Sequence, residues 1–438
     1  MSDISFCWKW LDAGAMAPVE FGRTFASLSV LVDGQPVPRI EDLAAETVRD
    51  ELHVPLYPLA EWIVYNWWCL LHEEPTPQTR GFDSRHSLAC VADGFAYPPL
   101  RIAAEGTSIR LVWGPREAMD ARLRFFGAGE ALVDYDCVED MLTGFIQSVC
   151  ERLSVSGIEG TCLQREWDAL RLLDVEERRW CAAVGAHGVD PFHPGDFDTG
   201  LLEQAFQELP KAVFEEMIES CSARTFTEDL DWLRSGLQAL ERNDPSSSCS
   251  SLPCCGHSRV NVVPQEGKDL LPHEIGYLHA RALRKQFGFT DEQRVNPREM
   301  WADLYGDRQA AFRVAPKRAW RIDGIVGSGD AGQLAFYYGP RGERGERFLL
   351  ARAIGEGLLD RALQPGARLV SSSRSANQKY NRAFAAELLA PAECLVRECG
   401  DYGASEEEVT ELADAFNVSD LVVRHQLENR GISVRDTA

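Results

Sequence analysis

"RFLLARAIGEGLLD", residues 347 to 360, sets leucine, isoleucine and alanine at the rhythm of a buried helix, with Arg352 and Glu356 inside the apolar run. Residues four apart share one helix face, so both charges point toward whatever the helix packs against. A buried charge is tolerable only when it is paired and hydrogen-bonded. Partners for this pair must therefore come from the elements around it.

Those elements can be read outward in both directions. Upstream, "LPHEIGYLHARALRKQFGF" (271 to 289) is an amphipathic helix, followed by strand patterns in "RAWRIDGIVG" and "GQLAFYYG". Downstream come a polar loop, "SSSRSANQ", and a second helix, "KYNRAFAAELLAPAECL". The tail, 405 to 432, reads as two or three short helices.

From 271 onward, the order of these elements and the wording of several resemble the ImmA/IrrE family of bacterial metallopeptidase-like proteins. In that family a helix of the form R-F-x-x-A-H-E-L-G-H precedes a second helix whose acidic residue completes a zinc site, shortly before F-A-A-E-L-L-M-P. "RFLLARAIGEGLL" and "RAFAAELLAP" match the scaffold of both. The resemblance implies a zincin-like domain over residues 265–438. Such a site needs two histidines on one helical face, a carboxylate as third ligand, and a glutamate that takes a proton from metal-bound water.

Laid on this sequence, the first histidine position falls on Arg352, the glutamate on Ala353, the second histidine on Glu356, and the acid of the second helix at or near Gln378. No histidine occurs between His279 and His425. A guanidinium donates hydrogen bonds and repels a cation. The HExxH motif is thus degenerate, and the expectation is a catalytically inactive scaffold with no catalytic residue, no bound metal and no cofactor. An internal ion pair, Arg352 to Glu356, replaces the metal, with the amide of Gln378 or Asn381 taking the remaining donors. Asn381, Arg382 and Glu387 are expected to line a cleft that recognises a protein or peptide partner. What the resemblance implies further is a cytoplasmic bacterial protein with a regulatory role in stress or phage response.

Two other readings stay open. An active metallopeptidase would need another ligand set, such as Glu356 with Glu387 and a cysteine. A nucleophile from Ser371, Ser372, Ser373 or Ser375 would need a base such as Glu356 within reach, although a serine-rich loop is more often a solvated connector.

At 438 residues the whole chain exceeds what one core holds, since single cores stop growing at roughly 250 to 300 residues. The expected fold class is α+β and multidomain. Residues 1–150 form a mixed α/β domain, 151–243 a helical domain, and 244–264 a Ser/Pro/Cys-rich linker. "FASLSVLVDGQPV" (25 to 37) predicts a hairpin turning at Asp33-Gly34, and "PPLRIAAEGTSIRLVWG" (98 to 114) a strand pair around Glu105-Gly106. "PLAEWIVYNWWCLLHE" (58 to 73) predicts one helix, apolar nearly all round, with Trp62, Trp67 and Trp68 in the core. The linker holds Cys249, Cys254, Cys255 and His257, but adjacent cysteines suit a tetrahedral zinc cage poorly.

The apolar stretch 62 to 71 falls short of the roughly 18 residues needed to span a bilayer. The opening residues lack the pattern of a secretory signal, so none is expected, and 13 mostly scattered cysteines fit reduced thiols. A net charge of -23 disfavours nucleic acid. The tail has the cadence of a helix-turn-helix with Val418 and Ser419 at the turn. Its second helix offers Asp420, Arg424, His425, Gln426, Glu428 and Asn429 behind the acidic run Glu406-Glu407-Glu408. Packing against the domain core is the expected role, with a DNA-binding regulator as the alternative. His187 and His193 are expected to be exposed or to cap the Asp190-Pro191 turn, and His86 beside Asp83 and Ser84 supports no triad.

Overall fold

The protein is seen in a computed structural model that describes residues 2–14, 16–37, 39–43, 45–75, 81–91, 93–106, 108–117, 123–195, 197–222, 224–241, 270–305, 312–328, 334–359, 366–399 and 403–435. Helices and several small sheets mix along the chain, giving an α+β fold. Its contacts divide into two units, Met1–Glu203 and Gln204–Ala438. The helical stretch expected at 151–243 is therefore shared between them. Cys249, Cys254, Cys255 and His257 lie outside the described residues.

In the first unit, Ile4–Trp10 pairs antiparallel with Phe25–Val32, which also pairs with Gln35–Pro36 and Leu52–Pro55. The hairpin turns where expected, with φ of 51° at Asp33 and 72° at Gly34. Two positive φ values in succession suit the tight turn that follows strand twist, which Asp-Gly adopts readily. Leu100–Glu105 and Ser108–Trp113 also pair as expected, with Gly129–Asp134 beside them.

The helix Tyr135–Val155 buries Val138, Leu142, Phe145, Ile146, Val149 and Leu153, a stripe recurring at three and four residues. Asp134 caps it, accepting from the backbone N–H of Asp136 at 3.0 Å.

The single helix expected over 58–73 is two, Tyr57–Tyr65 and Trp67–His72. Asn66 separates them and turns its side-chain amide back onto the Trp62 carbonyl at 2.8 Å, a local bond that competes with helix continuation. Trp67 and Trp68 are buried as expected. Trp62 instead lies at the margin, its indole donating to the Ser84 carbonyl.

In the second unit a four-stranded sheet runs Phe312–Val314, Leu334–Tyr338, Ile322–Ser328, Gly366–Ser371. The first two strands are parallel and the other pairs antiparallel. The helix Phe226–Glu241 packs on the two central strands, and Lys211–Ser220 on the edge strand Gly366–Ser371.

The opening stretch forms the helix Glu343–Leu358, buried continuously from Leu349 to Glu356. It packs on Ala376–Leu389, which in turn packs on Pro272–Gln286. The last contact needs Gly276, because a Cβ there would stand 2.6 Å from the Tyr380 carbonyl oxygen. The tail forms Glu406–Phe416 and Asp420–Glu428. Asn417 between them adopts a left-handed φ of 52°, a common helix stop.

Candidate functional site

Arg352 and Glu356 both lie inside the second unit, 4 % and 2 % exposed. They do not bond to each other. Arg352 donates from Nη1 to Asp323 Oδ2 at 2.7 Å and from Nη2 to Gln378 Oε1 at 2.6 Å and the Ser371 carbonyl. Asp323 also accepts from Arg341, so one carboxylate stands between two guanidinium groups. Glu356 Oε2 accepts from Asn377 Nδ2 at 2.7 Å and Asn381 Nδ2 at 2.6 Å.

The expected ion pair is thus replaced by two separate knots. The planar fork of an arginine can serve several acceptors at once, and the strand Ile322–Ser328 supplies a better one in Asp323. The helix Ala376–Leu389 carries Asn377 and Asn381 at a spacing of four, so both amides face the same carboxylate.

Gln378, at or near the position where a zinc site would place its acid, is fully engaged with the edge strand. Its Oε1 also accepts from the Ser371 N–H at 3.0 Å, and its Nε2 donates to the Leu369 carbonyl at 2.7 Å. Ala353, where a general base would stand, is wholly buried.

Burial raises the pKa of Glu356 from its ordinary value, against the lowering effect of its two amide donors. For Arg382, burial and the like charge of Arg352 bring the guanidinium down to about 10. Arg382 donates to the Ser373 carbonyl at 2.7 Å and so braces the serine loop.

Of the residues expected to line a cleft, Asn381 is buried against Glu356. Glu387 is buried elsewhere, accepting from Arg281 Nε at 2.7 Å, Gln426 Nε2 at 3.0 Å and the Ala392 N–H at 3.1 Å. It joins three helices and stands apart from Glu356. Among the described residues, no group of three His, Cys, Asp or Glu side chains could hold a metal ion.

Sequence reasoning missed two carboxylates. Asp323 sits in a strand whose pattern showed only its apolar neighbours. Glu216, on the helix Lys211–Ser220, accepts from Ser371 Oγ and Ser373 Oγ, each at 2.7 Å, and from Ser375 Oγ at 3.3 Å. Three of the four serines considered as nucleophiles, Ser371, Ser373 and Ser375, are therefore donors to Glu216, while Ser372 donates to the Arg321 carbonyl at 3.2 Å, and none of the four is bonded to Glu356. Ser375 also caps its helix by accepting from the Gln378 N–H.

No protein-family model and no curated protein matches this sequence. The chemistry of the site rests on its own geometry.

In the tail, Arg424 is held by Glu406 at 2.6 and 2.8 Å, and Gln426 is buried on Glu387 at 3.0 Å, so both side chains are engaged internally. No helix among the described residues is long and apolar enough to cross a membrane.

In the first unit, His86 pairs with the buried Glu73 at 3.0 Å and with the Ile102 carbonyl at 2.7 Å, away from Asp83 and Ser84. His193 is exposed and bonds Asp190, as expected of a turn residue. The expectation of exposure fails for His187. Both its ring nitrogens are out of solvent, and burial lowers its pKa to about 4.

Proposed function

We propose that the chain is a catalytically inactive metallopeptidase-like protein, ImmA/IrrE-like over residues 265–438, that acts as a protein- or peptide-binding regulatory module in bacterial stress or phage response. The observation that carries this reading is the closed knot at Arg352. Where a zinc peptidase helix would present its first ligand, a guanidinium is locked by Asp323, Gln378 and the Ser371 carbonyl. A fixed positive charge at that point opposes metal binding. With cutting removed, recognition is the function such a scaffold retains.

Metal analysis of the purified chain tests the reading. The expected result is no zinc that depends on Glu356 and no cleavage of an unfolded protein substrate. Near-stoichiometric zinc that disappears in Glu356→Ala, together with peptidase activity, would overturn it.

A further inference from the structure

A cleft of about 420 Å³ opens in the second unit between the first turn of the helix Phe226–Glu241 and the connection that precedes the strand Ile322–Ser328. Thr225, Glu228, Asp229 and Trp232 line one side, and Lys317, Arg318, Ala319 and Trp320 the other.

Three features of this cleft exceed what packing requires. Trp320 is 61 % exposed, whereas Trp232 opposite is buried, anchored through its indole N–H to the Lys317 carbonyl at 2.9 Å and against the Tyr337 ring. Asp229 is only 2 % exposed, yet its carboxylate is half used. Oδ1 accepts the Trp320 N–H at 3.1 Å, while Oδ2 has no donor apart from the neighbouring thiol of Cys221, a weak one. A buried carboxylate oxygen without a good donor is costly unless something supplies one. Finally, charge is sorted across the cleft, with Glu228 and Asp229 on the helix side, Lys317 and Arg318 on the loop side, and the Trp320 ring beside them.

From this arrangement we infer that the cleft binds a peptide segment carrying a basic side chain close to an acidic one. The basic group donates to the exposed carboxylate of Glu228, is drawn by the buried charge of Asp229 beneath it, and lies over the indole of Trp320, where a cation meets the negative face of the ring. The acidic group meets Lys317 and Arg318. Exposed tryptophan is the residue type that most often dominates a protein interface, and a chain of net charge -23 draws the basic end of such a segment at long range. This inference rests on the reading of the chain as a peptide-binding module, because it names the partner chemistry.

The test is isothermal titration calorimetry of the full chain with three peptides: Ac-Ala-Arg-Ala-Glu-Ala-amide and its analogues with glutamine in place of the arginine or the glutamate. The first should bind, and each analogue about tenfold more weakly. Trp320→Ala, at an exposed position, and Asp229→Asn, which keeps an acceptor for the Trp320 N–H, should each weaken the first peptide about tenfold. Circular dichroism confirms that both variants fold. No binding by the wild-type chain, equal binding of the three peptides, or binding indifferent to Trp320→Ala would overturn the inference. Mass analysis of the recovered peptide separates the two readings. A cut peptide would sink the inactive-peptidase reading and leave this site standing, whereas an intact and unbound peptide removes this site alone.

Discussion

At Glu356, burial and hydrogen bonding oppose each other. Enclosure by the surrounding helices raises the carboxyl pKa, and the amides of Asn377 and Asn381 pull it down without prevailing. A carboxyl whose folded pKa lies above its unfolded value binds protons more readily in the native state, so its stabilising effect is complete below about pH 4.5 and is lost as pH rises through the folded pKa. Glu356→Gln keeps an oxygen for both amides and cannot ionise. Its urea midpoint should match the wild type near pH 4 and exceed it at neutral pH, the gap opening as pH rises. A gap that closed toward neutral pH would contradict the assignment. Sequence spacing showed correctly that Arg352 and Glu356 share a face. It could not show their partners, because Asp323 comes from a strand and the asparagines from another helix, and residue-to-residue distance in a fold is invisible to periodicity.

At the scale of elements, the contact between Pro272–Gln286 and Ala376–Leu389 is the tightest test of packing. Gly276→Ala would press a methyl against the Tyr380 carbonyl and the Phe384 N–H, which stand 2.6 and 2.9 Å from the Cβ position. Backbone atoms cannot rotate aside, so the helices must separate, and a loss of about 1–3 kcal/mol is expected in chemical denaturation. An unchanged midpoint would mean that the helices are farther apart than described. The amphipathic pattern made both helices legible in the sequence, and the Asp-Gly pair made the hairpin at 33–34 legible. The break at Asn66 was not, because an apolar run reads the same whether it forms one helix or two. A single side-chain amide folding back on its own turn decided that case.

For the whole molecule, the acidic charge and the tail make a joint statement. With 68 acidic against 45 basic residues, the chain repels polyphosphate. Arg424, the cation best placed on the last helix, is already neutralised by Glu406. Gel retardation at low salt should show no shifted duplex, and a shift abolished by Arg424→Ala would restore the DNA-binding alternative. Division into two units was partly legible. The shift from mixed to helical pattern near residue 150 is real in the sequence, yet the helix Tyr135–Val155 runs through it and the contacts divide the chain between Glu203 and Gln204. Local composition records what each segment forms, and the choice of which core receives it is a long-range matter.

The knot at Arg352 also bears on how such a protein can change. Asp323, Gln378 and the Ser371 carbonyl all spend acceptors on one guanidinium. Replacing Arg352 alone, by histidine or by anything shorter, takes a donor from all three at once, leaving Asp323 to Arg341 and Gln378 Oε1 to the Ser371 N–H, so single steps away from the present arrangement run uphill in stability. A lineage that had reached this state would be held there as by a ratchet, free to vary around the knot but able to leave it only through several simultaneous substitutions.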